Sequence, residues 1–246
     1  MCPASEDRPL TNLVRKLDSI ATLSDEERGA ILSLPARTRS YGAGQDIFRN
    51  GDTSSQSCVI LKGWACRYKL LDEGGRQIFS FHIPGDVPDL QSLHLHIMDH
   101  SLGTLTDATV AFIPHESMRA LMLRLPRLGG VLWRDTLIDA AIFREWMVGM
   151  GRKSAYGRIA HLFCEMYLKL EAVGLAGDLR CPLPITQHEL GDALGLSTVH
   201  VNRVLQDMRA RGLITLRTST LVVHDWDELV RTSEFDSTYL HLAETG

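Results

Sequence analysis

The stretch ITQHELGDALGLSTVHVNRVLQDMRARGLI, residues 185–214, constrains the fold more than any other part of the chain. Its apolar spacing predicts two short helices, 187–194 and 198–210, joined by a tight turn. Gly191 lies where the two helices would cross, so only a small side chain fits there. Gly195 lies in the turn, where glycine adopts a positive φ at little cost. The segment therefore predicts a helix-turn-helix.

The second predicted helix has an apolar face and a polar face. The apolar residues at helical spacing are Val201, Val204, Leu205 and Met208. The opposite face includes groups that can donate to base edges in a major groove of DNA. Its residues are Thr198, Val199, Asn202, Arg203 and Gln206. Ser197 is placed to cap this helix, so its hydroxyl and the first amides can meet a phosphate. The stretch that follows, ITLRTSTLVVH, predicts a β-hairpin wing.

Charge is distributed unevenly along the chain. The whole sequence has a formal net charge of −4, which by itself gives no sign of a nucleic-acid partner. Residues 198–220, however, contain four arginines and one aspartate, a local charge of +3. This basic stretch favours DNA binding over the alternative, a small domain whose two helices cross for packing alone.

Residues 36–114 have a β-rich pattern that differs from the flanking sequence. Short runs such as CVILKGW, QIFSFHI and ATVAFI alternate with the turn sequences YGAG, RNGD, DEGG and IPGD. Closely spaced strands with glycine turns predict a compact all-β sandwich or roll. Ahead of it, apolar spacing over 10–20 predicts one amphipathic helix, and Ser24 with Glu27 predicts a capping box that opens a second.

A long helix is predicted to follow the β region. Residues 127–153 contain no proline, which allows a helix of about 27 residues and roughly 40 Å. Its apolar residues fall on three lines, because no single stripe holds them all. The first line is Trp133, Leu137, Ala140 and Met147; the second is Ile138, Ala141 and Val148; the third is Leu132, Phe143 and Trp146. A helix that is apolar on several sides must be covered on several sides.

We therefore expect one side of this helix to pack on the β domain and another on the same helix of a second subunit. The alternative is a helix buried wholly within one domain. Arg144 interrupts the first line, which argues against a regular coiled coil. The next stretch, MGRKSAYG at 150–157, is rich in glycine and small residues and is the predicted hinge.

Composition and motif content exclude several classes of protein. No apolar run approaches the roughly 18–20 residues of a membrane span, and the start MCPASEDRPL does not resemble a signal peptide. The five cysteines, at positions 2, 58, 66, 164 and 181, include no C-x-x-C pair. Neither a zinc ribbon nor an N-terminal iron–sulfur cluster is therefore supported. We expect a cytoplasmic protein.

The chain resembles the catabolite-activator/FNR (Crp/Fnr) family of bacterial transcription regulators over residues 20–230. The motifs that carry the resemblance are GAGQDIFRNGD, VILKGW, DEGGRQ, IPGD and TQHELGDALGLSTVHVNRVLQ. It implies an α+β fold with a cyclic-nucleotide-binding-like β-roll over 1–126, a dimerisation helix and hinge over 127–153, and a winged helix-turn-helix over 154–246. It also implies a homodimer that binds a near-palindromic operator in double-stranded DNA and contacts RNA polymerase.

The resemblance assigns roles to individual residues of the helix-turn-helix. Those at base-reading positions are Thr198, Val199, Asn202 and Arg203, and those at phosphate-contact positions are Gln187, Ser197 and His200. Val199 stands where many family members have a glutamate that accepts a hydrogen bond from cytosine. A valine cannot accept that bond but can pack on a thymine methyl. We therefore expect an operator that differs from the best-known sites of the family.

The β-roll departs from the pattern of the members that bind cyclic nucleotides. Those members follow the PGD turn with a Phe-Gly-Glu segment, whose glutamate holds the ribose, and later have an arginine that pairs with the phosphate. Here Val87, Pro88, Asp89 and Leu90 follow the turn, and the arginine position falls near His100 and Ser101. Without the bidentate guanidinium the phosphate loses its main contact. We expect no tight binding of cyclic AMP in the usual manner. The candidates for an altered effector pocket are Asp89, Leu90, His100 and Ser101. No cofactor is predicted, and the effector is not identified.

The segment QSLHLHIMDHS, residues 91–101, offers a second reading of the sensor. His94, His96 and His100 lie within seven positions and are weak candidates for a metal or haem site that would gate the same DNA-binding regulator. No single helix or strand aligns all three, so a solvated loop is favoured.

A metal-dependent enzyme on the roll is the remote alternative, because no H-E-x-x-H helix, nucleophile elbow or phosphate-binding loop is present. We expect a protein that is not an enzyme.

Overall fold

The computed structural model describes residues 9–243. These residues divide into two compact units, one made of 9–69, 81–139 and 242–243 and the other of Leu70–Ser80 and Ala140–His241. Helices and strands are mixed as the sequence predicts, with a β-roll, a long helix and a winged helix-turn-helix in chain order. Among the described residues, no helix is both long enough and apolar enough to cross a membrane.

Two short helices precede the roll, and both predicted helices are confirmed. Helix α1 is Thr11–Asp18 and helix α2 is Asp25–Leu32. Leu13 and Leu17 of α1 are buried, as the apolar spacing requires. The Ser24 hydroxyl accepts from the backbone N–H of Glu27 at 3.2 Å, and the Glu27 carboxylate accepts from the N–H of Ser24 at 2.8 Å. This reciprocal pair is the predicted capping box.

The β-roll consists of two antiparallel sheets whose inner faces enclose an apolar core. The strands are β1 Arg37–Tyr41, β2 Asp46–Phe48, β3 Gln56–Lys62, β4 Ala65–Leu70, β5 Arg76–His82, β6 Ser101–Thr104 and β7 Ala108–Pro114. One sheet has the order β1-β7-β3 and the other β2-β6-β4-β5. The core residues include Tyr41, Ile60, Leu102 and Val110. The predicted all-β roll is therefore confirmed.

Two consecutive helices follow the roll. Helix α3 is His115–Arg124, and helix α4 is Pro126–Arg152, 27 residues long. Pro126 opens α4 because its fixed φ suits the first helical turn and its missing N–H has no partner to lose there. The long helix predicted over 127–153 is confirmed to within a residue at each end.

The three apolar lines of α4 differ in exposure. Trp133, Leu137 and Met147 of the first line are exposed, and Ala140 is half-buried. Ile138 and Ala141 of the second line are buried, but its third member, Val148, is exposed. Leu132 and Trp146 of the third line are buried and Phe143 is half-buried. The helix therefore buries most of two lines within the chain and leaves the first line in solvent.

The second unit contains the helix-turn-helix and its wing. Its elements are α5 Ala155–Ala172, β8 Arg180–Pro182, α6 Gln187–Leu194, α7 Thr198–Ala210, β9 Ile214–Arg217, β10 Thr220–Val223 and α8 Trp226–Ser233, with a 3-10 helix at Ser237–Leu240. The antiparallel order β8-β10-β9 makes the wing. The bounds predicted for the two helices of the helix-turn-helix, 187–194 and 198–210, agree with α6 and α7 at every end.

The break between α4 and α5 is shorter than the predicted hinge over 150–157. Helix α4 continues to Arg152, and the Ser154 hydroxyl already caps α5 by accepting from the N–H of Gly157 at 3.1 Å. Glycine and serine in this stretch were consistent with a longer linker, but Gly151 and Gly157 are helical. Only two residues, Lys153 and Ser154, therefore separate the helices.

A buried polar network fastens the C-terminal segment to α4 and α5. The Glu165 carboxylate accepts from the Trp146 indole N–H at 3.1 Å and from the Tyr239 hydroxyl at 2.8 Å. Burial, with the charge of Lys153, lowers the pKa of His161 to about 4. A neutral imidazole can accept from the Lys153 ammonium through Nδ1, at 2.9 Å, while its Nε2 contacts the Tyr239 hydroxyl, also at 2.9 Å. The segment after the wing is therefore an integral part of the unit.

Candidate nucleic-acid interface

The turn of the helix-turn-helix depends on two glycines and one capping box. Thr186 caps α6 by accepting from the N–H of Glu189 at 3.2 Å, and Glu189 accepts in return from the N–H of Thr186 at 2.7 Å. Gly195 ends α6 with a φ of +64°. A Cβ on Gly191 would lie 2.5 Å from the Leu196 carbonyl oxygen. The steric demands predicted at Gly191 and Gly195 are therefore both present.

Helix α7 presents its polar face to solvent and buries its apolar face. The buried residues are Val201, Val204, Leu205 and Met208. Thr198, His200, Arg203 and Gln206 are exposed, and Val199 exposes 71% of its surface. Since an exposed valine gains nothing from solvent, its position at the first turn leaves an apolar contact open to a partner.

The amino end of α7 is capped and open to an anion. The Ser197 hydroxyl accepts from the N–H of His200 at 3.2 Å. Ser197, Thr198 and Val199 are all exposed, so the N–H groups of the first turn lie at the surface of the unit. An uncovered helix start of this kind favours a phosphate through its free donors and the helix dipole.

The positive charge of this region lies on α7 and on the wing. Arg203, Arg209 and Arg217 are exposed. Arg211 instead pairs with Asp207 at 3.0 Å and lies over the Tyr156 ring at 5.5 Å. The one acidic residue of the stretch is therefore neutralised by Arg211, and the other three arginines provide the local +3.

Two of the predicted site residues form a hydrogen bond with each other. The Asn202 amide donates through Nδ2 to Oε1 of Gln187 at 3.1 Å. Both side chains are half-buried. The structure thus brings a predicted base-reading residue and a predicted phosphate contact into one hydrogen-bonded pair, which the sequence did not indicate.

Comparisons with known proteins agree with this geometry. Residues 38–124 match the model of the cyclic nucleotide-binding domain, and residues 157–232 match the model of the Crp-like helix-turn-helix domain. The chain belongs to the Crp/Fnr family. It is a DNA-binding transcription regulator and not an enzyme, as predicted.

Relatives of this Crp/Fnr regulator extend over most of its length. It is 27% identical over 226 residues to the transcriptional activator protein FnrL of Cereibacter sphaeroides, covering 89% of each chain. It is 28% identical over 188 residues to the nitrogen fixation regulation protein FixK of Rhizobium meliloti, covering 76% of this chain and 82% of FixK. Among solved structures, FixK2 of Bradyrhizobium japonicum is similar with a TM-score of 0.74 and 26% identity, over 81% of this chain and 98% of FixK2.

The candidate effector residues of the regulator all lie inside the roll. Asp89, Leu90, His100 and Ser101 are buried. The Asp89 carboxylate accepts from the N–H of Cys58 at 2.8 Å, and burial raises its pKa to about 7. The Ser101 hydroxyl accepts from the N–H of Asn50 at 3.1 Å, and His100 Nδ1 lies 2.6 Å from the Asp99 carboxylate. Each polar side chain of the set therefore already has a contact within the roll.

A buried arginine that the sequence analysis missed lies beside the segment after the PGD turn. Arg67 of β4 donates from Nε to the Pro88 carbonyl at 2.7 Å, and its guanidinium pairs with Asp139 of α4. Arg67 is buried. A buried cation therefore lies beside this segment, and its counterion, Asp139, comes from the chain itself.

Further charges continue this network between α1, the roll and α4. The Lys16 ammonium lies 3.4 Å from the Asp135 carboxylate and 3.7 Å from that of Asp86. Burial opposes a charge on Lys16, but the two carboxylates raise its pKa above the usual value. Burial, aided by the charge of Arg67, lowers the pKa of His82 to about 4. Ion pairs therefore join α1 and the roll to α4.

The three histidines of residues 91–101 do not converge. His94 and His96 are exposed, whereas His100 is buried. Within the described part of the chain, no group of three or more His, Cys, Asp and Glu residues is arranged to hold a metal ion. Cys58, Cys66, Cys164 and Cys181 are buried, and Cys2 lies outside the described residues.

Proposed function

We propose that this regulator acts as a homodimer on a near-palindromic operator, with α4 as the dimer contact. The observation that carries the proposal is the exposed first line of α4. Trp133, Leu137 and Met147 expose 62%, 49% and 71% of their surfaces. Together with Ala140 they recur at intervals of four, three and seven residues along the helix, which places them on one face of it although Arg144 interrupts the line. Large apolar side chains exposed together along one helix are typical of a protein interface.

A dimer with a two-fold axis at α4 would require an operator that is an inverted repeat. A symmetric dimer carries two copies of α7 related by the same axis, so it reads two inverted half-sites. Recognition helices of such dimers enter successive major grooves about 34 Å apart. Contact with RNA polymerase belongs to the same proposal and is supported by family membership alone.

Within each half-site we propose that Thr198, Val199, Asn202 and Arg203 read bases. Gln187, Ser197 and His200 are proposed to contact phosphates. The support is the exposure of the α7 face and of its capped amino end. Val199 is expected to prefer a thymine methyl over a cytosine, because it offers apolar surface and no acceptor.

The experiment that tests the proposal is selection of operators from random-sequence DNA, followed by gel-shift titration. Replacing Arg203 with alanine should weaken binding to the selected operator by about 10- to 100-fold, since one specific base contact of arginine contributes about 1–3 kcal/mol. Arg231→Ala, which removes an exposed arginine paired with Glu228 on α8, is the matched control and should change the Kd by less than about twofold. Failure to enrich an inverted repeat, or equal binding by Arg203→Ala, would contradict the proposal.

We further propose that the roll does not bind cyclic AMP in the manner of cyclic-nucleotide-dependent members. The support is the apolar Val87–Pro88 start of the segment and the pairing of the nearby Arg67 with Asp139. Saturating cyclic AMP should leave the Tm of the regulator unchanged. A ligand present at a hundredfold its Kd would stabilise the folded state by about 2.7 kcal/mol, which a thermal shift assay detects easily. A rise of several degrees with cyclic AMP would overturn this part.

A further inference from the structure

One side-chain hydrogen bond joins α6 and α7, the two helices of the helix-turn-helix. Asn202 lies in the second turn of α7, and Gln187 is the first residue of α6. Their amides meet at 3.1 Å although the residues are 15 positions apart. The bond therefore links one helix to the other and is not a local cap within either helix.

The bond restricts the orientation of the Asn202 amide. A primary amide has one oxygen acceptor and two N–H donors. One N–H of Asn202 is directed at Oε1 of Gln187, so its other N–H and its oxygen are left for a further partner. An adenine edge offers N7 as acceptor and N6–H as donor, which one amide oxygen and one N–H can meet together. The contact with Gln187 and a bidentate adenine contact are thus compatible.

The same bond leaves the donors of Gln187 unused. Its oxygen is occupied by Asn202, while Nε2 carries two N–H groups that the bond does not involve. Gln187 stands in the first turn of α6, where the helix dipole favours an anion. One amide can therefore contact a phosphate and hold a neighbouring amide at the same time.

We propose that Gln187 is a positioning residue that orients Asn202 for base reading, in addition to its phosphate contact. This inference rests on the proposed reading of DNA by α7. The two roles of Gln187 differ in their consequence, because phosphate contacts supply affinity for any sequence whereas positioning of a base reader supplies discrimination. Gln187 thereby determines specificity at a base that it does not itself touch.

The test compares discrimination at single base pairs of the selected operator. Asn202→Ala identifies the base pair that Asn202 reads, where discrimination against the other bases should fall about tenfold. Gln187→Met removes the acceptor and keeps a side chain of similar length. It should lower discrimination at that same base pair by about threefold or more and leave the other positions unchanged. In the double variant the loss should equal that of Asn202→Ala alone, because the two residues act as one unit.

A conservative variant separates positioning from packing. Gln187→Glu retains an acceptor for the Asn202 amide, so discrimination at the base pair should return to the wild-type value. Its overall affinity should fall, since a carboxylate repels the phosphate. His188→Ala is the matched control on α6: His188 is exposed and pairs only weakly with Asp192, at 3.7 Å. It should leave the base preferences unchanged.

Three outcomes would overturn the inference while leaving the proposed operator binding in place, and the third would also remove Asn202 from the proposed base readers. Gln187→Met could weaken binding equally on every operator, Gln187→Glu could lose discrimination as Gln187→Met does, or Asn202→Ala could show no base-specific loss. Circular dichroism melting of each variant confirms that the unit is folded. If the wild-type protein selects no operator at all, the proposed function itself fails, and this inference fails with it.

Discussion

Replacing Trp133 and Leu137 together by glutamate is expected to convert the proposed dimer into a monomer. Both side chains are exposed on the first line of α4, and in a two-fold dimer each would lie near its own copy. Four carboxylates would then replace four apolar side chains in one seam, and like charges in close contact oppose association. The measurement is the molar mass by sedimentation equilibrium, for which we expect the mass of one 27.4 kDa chain.

Loss of the dimer should also abolish binding to the full operator at concentrations that saturate it with wild type. Two linked half-site contacts raise affinity by about 10²- to 10⁴-fold over one, so a monomer should bind at least about a hundredfold more weakly. Because neither substituted residue is buried, the variant should keep the helical content of the wild type by circular dichroism.

Leu123→Glu is the control for this variant. Leu123 lies on α3 and exposes 82% of its surface, so the substitution places a carboxylate on another exposed apolar residue outside the proposed seam. It should leave both the molar mass and the Kd unchanged. A wild-type protein that sediments as a monomer, or a double variant that still dimerises, would contradict the assignment of α4 as the dimer contact.

The helix-turn-helix was predictable from sequence because its determinants are local. Both ends of α6 and the start of α7 follow from Thr186 and Ser197 as caps and from Gly195 as the left-handed end of α6. Each of these signals acts within four residues of the helix end that it defines. The spacing of buried residues then assigns the inner face of α7.

The C-terminal helix α8 was not predicted, although its cap was visible. Asp225 caps α8 by accepting from the N–H of Glu228 at 3.0 Å, a signal that DWDEL contains. Its eight residues are too short to be stable alone. It packs on α5, and the following 3-10 helix is also held to α5, because its Tyr239 hydroxyl donates to Glu165 over 74 positions. The spacing of apolar residues along the chain does not reveal a partner that is so distant in sequence.

The buried charges of the roll escaped prediction for the same reason. Arg67 lies in the strand sequence ACRYKL, where an arginine ordinarily indicates a solvent-facing position. Its counterion Asp139 is 72 positions away on α4. The departure from the cyclic-nucleotide motif after the PGD turn is visible in the sequence, whereas the residues that lie beside Pro88 come from distant parts of the chain and are not.

Gly191→Ala is expected to destabilise the helix-turn-helix and to abolish operator binding near physiological temperature. The added Cβ would lie 2.5 Å from the Leu196 carbonyl oxygen, a backbone atom. That backbone cannot move freely, because the N–H of Leu196 donates to the Gly191 carbonyl at 3.0 Å. Overpacking of a tight contact costs about 1–3 kcal/mol, so the Tm of the second unit should fall by roughly 10 °C. Differential scanning calorimetry measures the change.

The same substitution at Gly29 should have the opposite effect on stability. Gly29 lies within α2, is exposed, and would have no atom within 4 Å of an added Cβ. Alanine favours a helix over glycine by up to about 1 kcal/mol, so Gly29→Ala should raise stability slightly and leave DNA binding unchanged. Both variants add the same methyl group. The difference between their changes in stability therefore measures the effect of the close approach of the helices at Gly191. A Gly191→Ala protein that melts and binds DNA as wild type does would show that this approach is not required for the fold.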